Sequence, residues 1–249
     1  MLKKRIIPCL LLKNGRMVKG KQFKDFRDTG NPVTAARVYT AQKADELLFI
    51  DIDASNEGRI ATLQVIEKVS EEVFMPFCVG GGIKDVTTIR NLLKAGADKV
   101  SICTAAIEYP EFIKEAVSIF GSQCIVVCID FRKENDKYIV YSHSGTVRTK
   151  WEVESFVEHI ITLKIGEILL NSIDRDGMMN GYEIELLKVI AGKVNVPVII
   201  IGGAGKLSDF KEAFDAGASA VSAASIFHFT DQSPIKTNFF LQSHGINVR

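Results

Sequence analysis

The sequence predicts an α/β fold, a (βα)8 TIM barrel with a parallel eight-stranded sheet made of two half-barrel repeats. Eight short apolar runs recur along the chain, each bounded by polar residues. The segments between them have the apolar spacing of amphipathic helices, so strand and helix alternate throughout. The length of 249 residues suits one barrel of this kind. We therefore expect a single domain over residues 1–249.

The first apolar run, residues 5–12, shows why these segments are predicted as strands. It begins at Arg5 and carries no other charge, which is typical of a parallel strand covered by protein on both faces. From Lys13 onward we predict a loop. Similar runs predict seven further strands, at residues 46–52, 76–79, 99–102, 124–129, 167–170, 197–201 and 220–223.

Several of the intervening segments carry helix signals. Asn31 followed by Pro32 predicts a capped helix start after the first loop. Residues 224–228 predict a short helix after the last strand, of the type that completes a phosphate site in such barrels. Apolar residues at helical spacing are Ala61, Leu63, Ile66 and Val69 in one segment and Ile89, Leu92 and Leu93 in another.

Composition excludes some classes of partner. The chain is 47% hydrophobic and 24% charged, as soluble globular proteins commonly are. Its formal net charge of +1 is too small to attract nucleic acid or acidic membranes electrostatically. The apolar stretch near the start is short and lacks a signal-peptide cleavage site. We expect a cytoplasmic protein that binds neither nucleic acid nor membrane.

We predict no metal and no cofactor. Five cysteines form no CxxC pair and lie in or beside predicted strands, where thiols usually act as small apolar groups. The histidines have no ligand spacing with one another or with cysteine. The residues considered are Cys9, Cys78, Cys103, Cys124, Cys128, His143, His159, His228 and His244.

The first loop, residues 13–30, is unusually long and contains an Asn14-Gly15 turn signal. Two interpretations remain open. The loop is either a mobile lid over the barrel mouth that carries Lys19, or a solvated loop with scattered lysines.

An internal repeat relates the two halves of the chain. The segment at residues 95–101 resembles that at 216–222, an offset of 121 positions (216 − 95), and Gly81-Gly82 matches Gly202-Gly203 at the same offset. A period near half the chain length predicts two four-strand halves related by a pseudo-twofold axis.

Two glycine clusters predict opposed phosphate sites. Residues 80–85 and 202–205 each follow a predicted strand and precede a helix, where glycine lets backbone N–H groups approach an anion. The alternative is that glycine merely turns the chain. Together they suggest a ligand with a phosphate at each end, and the predicted phosphate-binding residues are Gly82, Thr104, Asp176, Gly177, Gly203, Ala224 and Ser225.

Acidic residues end several predicted strands, where barrel enzymes place their catalytic groups. Asp130 ends the fifth strand, and Asp51 and Asp53 end the second. These three are candidates for general acid or base catalysis.

Seven motifs are spread along nearly the whole chain. They are KKRIIPC at residues 3–9, VGGGI at 79–83, FGSQ at 120–123, GEILL at 166–170, SIDRDG at 172–177, GGAGK at 202–206 and AASIFHF at 223–229. Together these motifs resemble the cyclase subunit of imidazole glycerol phosphate synthase, the HisF family. The resemblance implies a barrel that receives ammonia from a HisH-like glutaminase on its strand-start face. It also implies use of that ammonia at the opposite mouth on a bis-phosphorylated substrate.

The family's cyclisation uses two aspartates. The second falls on Asp130, but the first falls on Leu11, which can neither hold nor pass a proton. Asp53 or Asp51 is a candidate replacement, because strand two neighbours strand one in such a barrel. Other positions that depart from the family pattern are Asp53, Cys103, Asn171, Met178 and Ile201.

The strand-start face keeps the family pattern. The resemblance implies a ring of two cations and two carboxylates that guards the ammonia entrance, at Arg5, Glu46, Lys99 and Glu167. It further implies docking-surface residues at Asp98 and Gln123. The ring is either a gate or a brace that pairs charges for stability.

This combination also resembles the second HisF-like proteins of surface-saccharide pathways, the WbuZ-type family, through residues 9–15 and 51–55. That resemblance implies an ammonia-channelling subunit serving a downstream sugar amidotransferase that makes acetamidino groups. The first alternative is a genuine cyclase of histidine biosynthesis with an altered acid–base pair. A stand-alone sugar-phosphate isomerase is a third hypothesis, which Leu11 disfavours.

Overall fold

The computed structural model describes residues 3–58 and 63–249. Twelve strands lie in these residues. They are β1 (Arg5–Lys13), β2 (Arg16–Lys21), β3 (Lys24–Gly30), β4 (Leu47–Asp51), β5 (Phe77–Gly80), β6 (Lys99–Ile102), β7 (Ile125–Glu134), β8 (Lys137–Ser142), β9 (Val147–Glu152), β10 (Glu167–Ser172), β11 (Val198–Ile201) and β12 (Ala220–Ala223).

Ten α-helices lie in the same residues, mostly between the strands. They are α1 (Pro32–Ala41), α2 (Leu63–Ser70), α3 (Val86–Lys94), α4 (Thr104–Glu108), α5 (Pro110–Phe120), α6 (Val153–Ile161), α7 (Ile184–Lys193), α8 (Leu207–Asp215), α9 (Ser225–Phe229) and α10 (Pro234–Ser243).

Eight of the described strands close into a parallel barrel in the order β1-β4-β5-β6-β7-β10-β11-β12. Strand β12 pairs with β1 to close it. The predicted (βα)8 fold is therefore confirmed. Because all eight strands run in one direction, their starts form one end of the barrel and their ends form the other.

Two hairpin extensions were not predicted. β2 and β3 pair antiparallel within residues 13–30, so the prediction of a loop from Lys13 onward was wrong. β8 and β9 extend β7 in the same way. One strand of each hairpin, β3 and β9, is rich in exposed polar side chains, so it lacks the continuous apolar pattern by which the barrel strands were found. The Asn14-Gly15 turn is present and joins β1 to β2, with both residues at positive φ.

Local helix signals are mostly confirmed. Asn31 caps α1 by accepting from the backbone N–H groups of Val33 and Thr34, with Pro32 in the first turn. The short helix after β12 is α9. Ile66, Val69, Ile89 and Leu92 are buried, whereas Ala61 lies outside the described residues.

The barrel wall separates two apolar cores. The larger core lies between the strands and the surrounding helices, with Phe49, Phe156 and Phe210 among its fully buried members. The smaller core fills the barrel interior and includes three thiols, Cys9, Cys78 and Cys128. No helix in the described residues is long and apolar enough to cross a bilayer.

Candidate functional site

A cavity of about 420 Å³ opens at the strand-end face of the barrel. Its lining comes from the ends of the barrel strands, the loops after them and the β2–β3 hairpin. All the predicted phosphate-binding residues line it, as do Leu11, Asp51, Asp53 and Asp130. The structure therefore brings together residues that are up to 214 positions apart (225 − 11).

The two predicted phosphate cradles lie on opposite halves of the barrel repeat. Gly82 follows β5 and Thr104 begins α4, while Gly203 follows β11 and Ser225 begins α9. Thr104 Oγ1 already accepts from the backbone N–H of His143 at 3.0 Å. Gly203 has φ +114°, and a Cβ there would lie 2.0 Å from the Gly181 carbonyl. Glycine is therefore also required at this turn for close chain packing.

Lys19, predicted on a lid, forms a buried ion pair with Asp176, predicted at a phosphate site. Lys19 Nζ lies 2.6 Å from Asp176 Oδ1 and donates to the Gly20 carbonyl at 2.9 Å. The backbone N–H of Gln22 donates to the Asp176 carbonyl at 2.8 Å. Gly177, at φ +72°, lies close against Gly20. These contacts hold the β2–β3 hairpin against the loop after β10.

Asp130 lies at the floor of the cavity on β7. Asn171 is its partner in the β7–β10 register and donates from Nδ2 to Asp130 Oδ1 at 2.8 Å. Two thiols also reach the carboxylate, with Cys103 Sγ 3.5 Å from Oδ2 and Cys128 Sγ 3.6 Å from Oδ1. Burial raises the pKa of Asp130 to about 6, despite these donors.

Leu11 faces the barrel interior, where it packs against the smaller core. In the β1–β4 register, Leu11 pairs with Ile50 and Leu12 pairs with Asp51. Residues paired across two strands lie on the same face of the sheet, and successive residues of one strand lie on opposite faces. Asp51, the partner of Leu12, therefore lies on the opposite face from Leu11.

The other two candidate acids are engaged in local contacts. Asp51 Oδ1 accepts from the backbone N–H groups of Asp53 and Ala54 at 3.3 and 3.2 Å. Asp53 pairs with Lys13 at 3.1 Å. Their carboxylates therefore line the cavity while they contact the loop after β4 and Lys13 at the end of β1.

The four predicted gate residues form a ring of alternating charge at the strand starts. Arg5 Nη1 lies 2.7 Å from Glu46 and 3.1 Å from Glu167. Lys99 Nζ lies 2.9 Å from Glu46 and 3.1 Å from Glu167. Burial acts to lower the pKa of Lys99, but the two glutamates outweigh it and raise that pKa above its ordinary value. The pKa of Arg5 is raised by the same two glutamates, so both cations of the ring stay charged near neutral pH.

The predicted docking residues also lie at this end of the barrel. Asp98 accepts from the backbone N–H of Phe77 at 3.0 Å, so it caps the start of β5. Gln123 is exposed just before β7 and donates to the Phe120 carbonyl. Their proposed role in docking stays a prediction.

Comparison with known proteins gives the family. The profile of the family described as "Histidine biosynthesis protein" matches residues 5–233. The chain belongs to this family. HisF subunits of imidazole glycerol phosphate synthase from Geobacillus kaustophilus and Bacillus subtilis are each 48% identical to it, and that from Bacillus velezensis is 46% identical. Each alignment spans 252 positions and covers 100% of both chains.

The HisF resemblance is confirmed at the level of the family, while the closer likeness to the saccharide-pathway proteins is not shown. The names of these relatives support the cyclase alternative better than the sugar-amidotransferase interpretation.

Sequence reasoning missed the group formed by Cys103, Cys128 and Asp130. Ile102 pairs with Val127, so the next residues in register, Cys103 and Cys128, lie side by side. Cys128 and Asp130 are two apart on β7 and share its inner face. The alternation of inward-facing residues along β7 could have been found in the sequence. The register between β7 and β6, which brings Cys103 beside Cys128, could not.

Proposed function

We propose that this chain is the cytoplasmic cyclase subunit of an imidazole glycerol phosphate synthase, which joins ammonia to a bis-phosphorylated substrate. A HisH-like glutaminase supplies the ammonia at the strand-start face. The observation that carries the proposal is the closed ring of Arg5, Glu46, Lys99 and Glu167 at one end of a barrel whose other end holds a cavity with a buried carboxylate.

In this proposal Asp130 moves the protons. A carboxyl group whose pKa is about 6 is populated in both protonation states near neutrality, as a general acid–base group requires. Asn171 orients it through Oδ1. The ordered β7–β10 register fixes the distance between the two side chains.

The glycine turns would hold the two phosphates of the substrate. Gly82 and Thr104 lie on one half of the barrel, and Gly203 and Ser225 occupy the equivalent positions on the other, at the same offset of 121 (203 − 82 and 225 − 104). Backbone N–H groups can bind phosphate without any change in protonation. Gly177, Ala224 and Asp176, with Lys19 on the hairpin above, are proposed to complete the second cradle.

Leu11 favours a second candidate function. An acid–base pair reduced to one member loses catalysis typically worth about 10²–10⁴ in rate. In this second proposal the barrel activates a glutaminase and passes ammonia to a sugar amidotransferase that makes acetamidino groups for surface saccharides. The entrance ring serves both proposals, whereas the cyclisation groups serve only the first.

Reconstitution with a HisH-type glutaminase tests the two proposals together. The first predicts glutamine-driven formation of imidazole glycerol phosphate from the bis-phosphorylated ribulosyl aminoimidazole substrate, lost in Asp130→Asn. The second predicts that the barrel stimulates glutamine hydrolysis while none of that product forms. A glutaminase that neither binds the barrel nor responds to it would contradict both.

A further inference from the structure

Three side chains from separate segments form one hydrogen-bonded chain behind the second phosphate cradle. Arg175 Nε donates to Glu183 Oε2 at 2.8 Å, and Tyr138 Oη donates to Glu183 Oε1 at 3.1 Å. The Glu183 side chain is only 9% exposed, so its two oxygens depend on these donors rather than on water. None of these three described residues lines the cavity. Any effect that they have on a ligand must therefore act through the residues that do line it.

Arg175 reaches the second cradle through the Gly181 peptide. Its Nη1 donates to the Gly181 carbonyl at 3.2 Å and to the Asn180 carbonyl at 3.4 Å. The backbone N–H of Gly181 donates in turn to the Gly203 carbonyl at 2.8 Å. A Cβ at Gly203 would lie 2.0 Å from the Gly181 oxygen and 3.2 Å from Arg175 Cβ, so these groups already pack closely. A shift of Gly181 would therefore move the Gly203 turn.

Arg175 also belongs to the other half of that cradle. It immediately precedes Asp176 and Gly177 in the loop after β10, and its carbonyl accepts from the backbone N–H of Met178 at 3.0 Å. Gly177 and Gly203 come from different loops, which follow β10 and β11. Arg175 thus joins the two loops whose separation must fit one phosphate group.

The Arg175 guanidinium is held in place from its far side. Glu183 compensates its charge at 2.8 Å, and loss of either partner would leave the other without its counter-ion. Burial and the charge of Glu183 raise the pKa of Tyr138, so its hydroxyl stays a hydrogen-bond donor at neutral pH. The Tyr138 ring packs edge-on against Phe131, with 5.8 Å between ring centroids. The chain of side chains is therefore anchored to β7 and β8.

The first cradle has alanine at the position equivalent to Arg175. The offset of 121 positions places Ala54 there (175 − 121). Ala54 is fully buried, and its methyl group cannot donate a hydrogen bond. A change at Arg175 should therefore affect one cradle and spare the other.

We propose that Arg175 is a positioning residue for the second phosphate of the substrate, with Glu183 and Tyr138 holding its guanidinium. It sets the gap between the Gly177 and Gly203 turns, and through that gap the affinity for the phosphate. The inference rests on the proposed cyclase function, in which a bis-phosphorylated substrate spans both cradles.

Substrate binding without turnover tests this role. The dissociation constant of the bis-phosphorylated ribulosyl aminoimidazole substrate should be measured by calorimetry in the absence of ammonia. Arg175→Met should weaken binding about tenfold or more, because the Gly203 turn loses its support. Glu183→Gln should weaken binding less, because glutamine keeps one acceptor oxygen. With free ammonium, KM should rise in parallel while kcat changes less than about twofold, as expected when ground and transition states lose the same contact.

Arg132→Met is the matched control. It removes the same type of side chain from an ion pair with Asp174 on the same loop, at 3.2 Å. Because this pair is partly exposed, substrate affinity should stay within about twofold of the unaltered chain. Melting curves show whether Arg175→Met is folded, and Glu183→Gln carries the test if it is not.

Crystals soaked in inorganic phosphate show which cradle responds. Those of Arg175→Met should lose density at Gly203 with Ser225 but keep it at Gly82 with Thr104. Equal weakening at both cradles would overturn the positioning role alone, as would undiminished affinity in Arg175→Met when the unaltered chain binds substrate. Failure of the unaltered chain to bind either substrate or phosphate would overturn the proposed function as well.

Discussion

Lys99 Nζ donates to both carboxylate oxygens of Glu46, at 3.0 and 2.9 Å, at the end of the barrel opposite the cavity. The same ammonium group also pairs with Glu167 at 3.1 Å. Because Arg5 bridges the same two glutamates from the other side, removal of Lys99 leaves each carboxylate with one cation. This redundancy allows the gate and brace interpretations to be separated by mutation.

We predict that Lys99→Ala uncouples glutamine hydrolysis from ammonia use. Glutamine-driven product formation should fall at least fivefold relative to the rate with free ammonium. The stability loss should stay below the 3–5 kcal/mol typical of breaking a buried pair outright, since Arg5 remains. The matched control is Lys211→Ala, which removes an exposed pair with Asp215 and should change neither quantity appreciably. An unchanged rate ratio together with a large stability loss would identify the ring as a brace.

Lys19 is predicted to fasten the β2–β3 hairpin. Lys19→Met keeps the side-chain length but leaves Asp176 buried without its cation, which should cost about 3–5 kcal/mol locally. Limited proteolysis within residues 20–25 should become faster. Arg16→Met, which breaks an exposed pair with Asp28 on the same hairpin, should leave the rate of proteolysis almost unchanged. Equal protease resistance in both variants would contradict the assignment.

The carboxyl group of Asp45 should make the free energy of unfolding depend on pH. Burial raises the pKa of Asp45 to about 6, although its carboxylate accepts from the backbone N–H of Ile6. Between about pH 4 and 6 the folded chain therefore binds more protons at this residue than the unfolded chain, so its contribution to stability falls as pH rises through that window. Asp45→Asn should flatten this part of the stability curve, measured by denaturant unfolding. Asp215→Asn, at an exposed residue, should leave it unchanged.

Inorganic phosphate or sulfate is predicted to bind at two places, at Gly82 with Thr104 and at Gly203 with Ser225. The donors are mainly backbone N–H groups, so binding should survive Asp130→Asn. Crystals soaked in phosphate should show difference density at both turns. Empty turns at high phosphate concentration would refute the two-phosphate interpretation.

The barrel was predictable because its strands are apolar on both faces. Runs such as residues 99–102 and 220–223 match β6 and β12 at both ends. The hairpins escaped prediction because Lys24–Gly30 and Val147–Glu152 lie largely outside the core and carry polar sequences.

The site was only partly predictable for a related reason. Residue types at strand ends indicate which side chains reach the mouth, so Asp130 was found. Pairings across the barrel depend on strand register and rotamers. The contacts Lys19–Asp176, Asn171–Asp130 and Cys103–Cys128 therefore emerged only from the structure.

Leu11 provides the most direct test of the proposed cyclase. Formation of imidazole glycerol phosphate from the bis-phosphorylated substrate should be measured with free ammonium, so that no glutaminase partner is needed. The account predicts slow turnover by the unaltered chain, its loss in Asp130→Asn, and a gain of about 10²–10⁴ in rate in Leu11→Asp, which restores the second carboxyl group. Absence of product from the unaltered chain and from Leu11→Asp alike would contradict it.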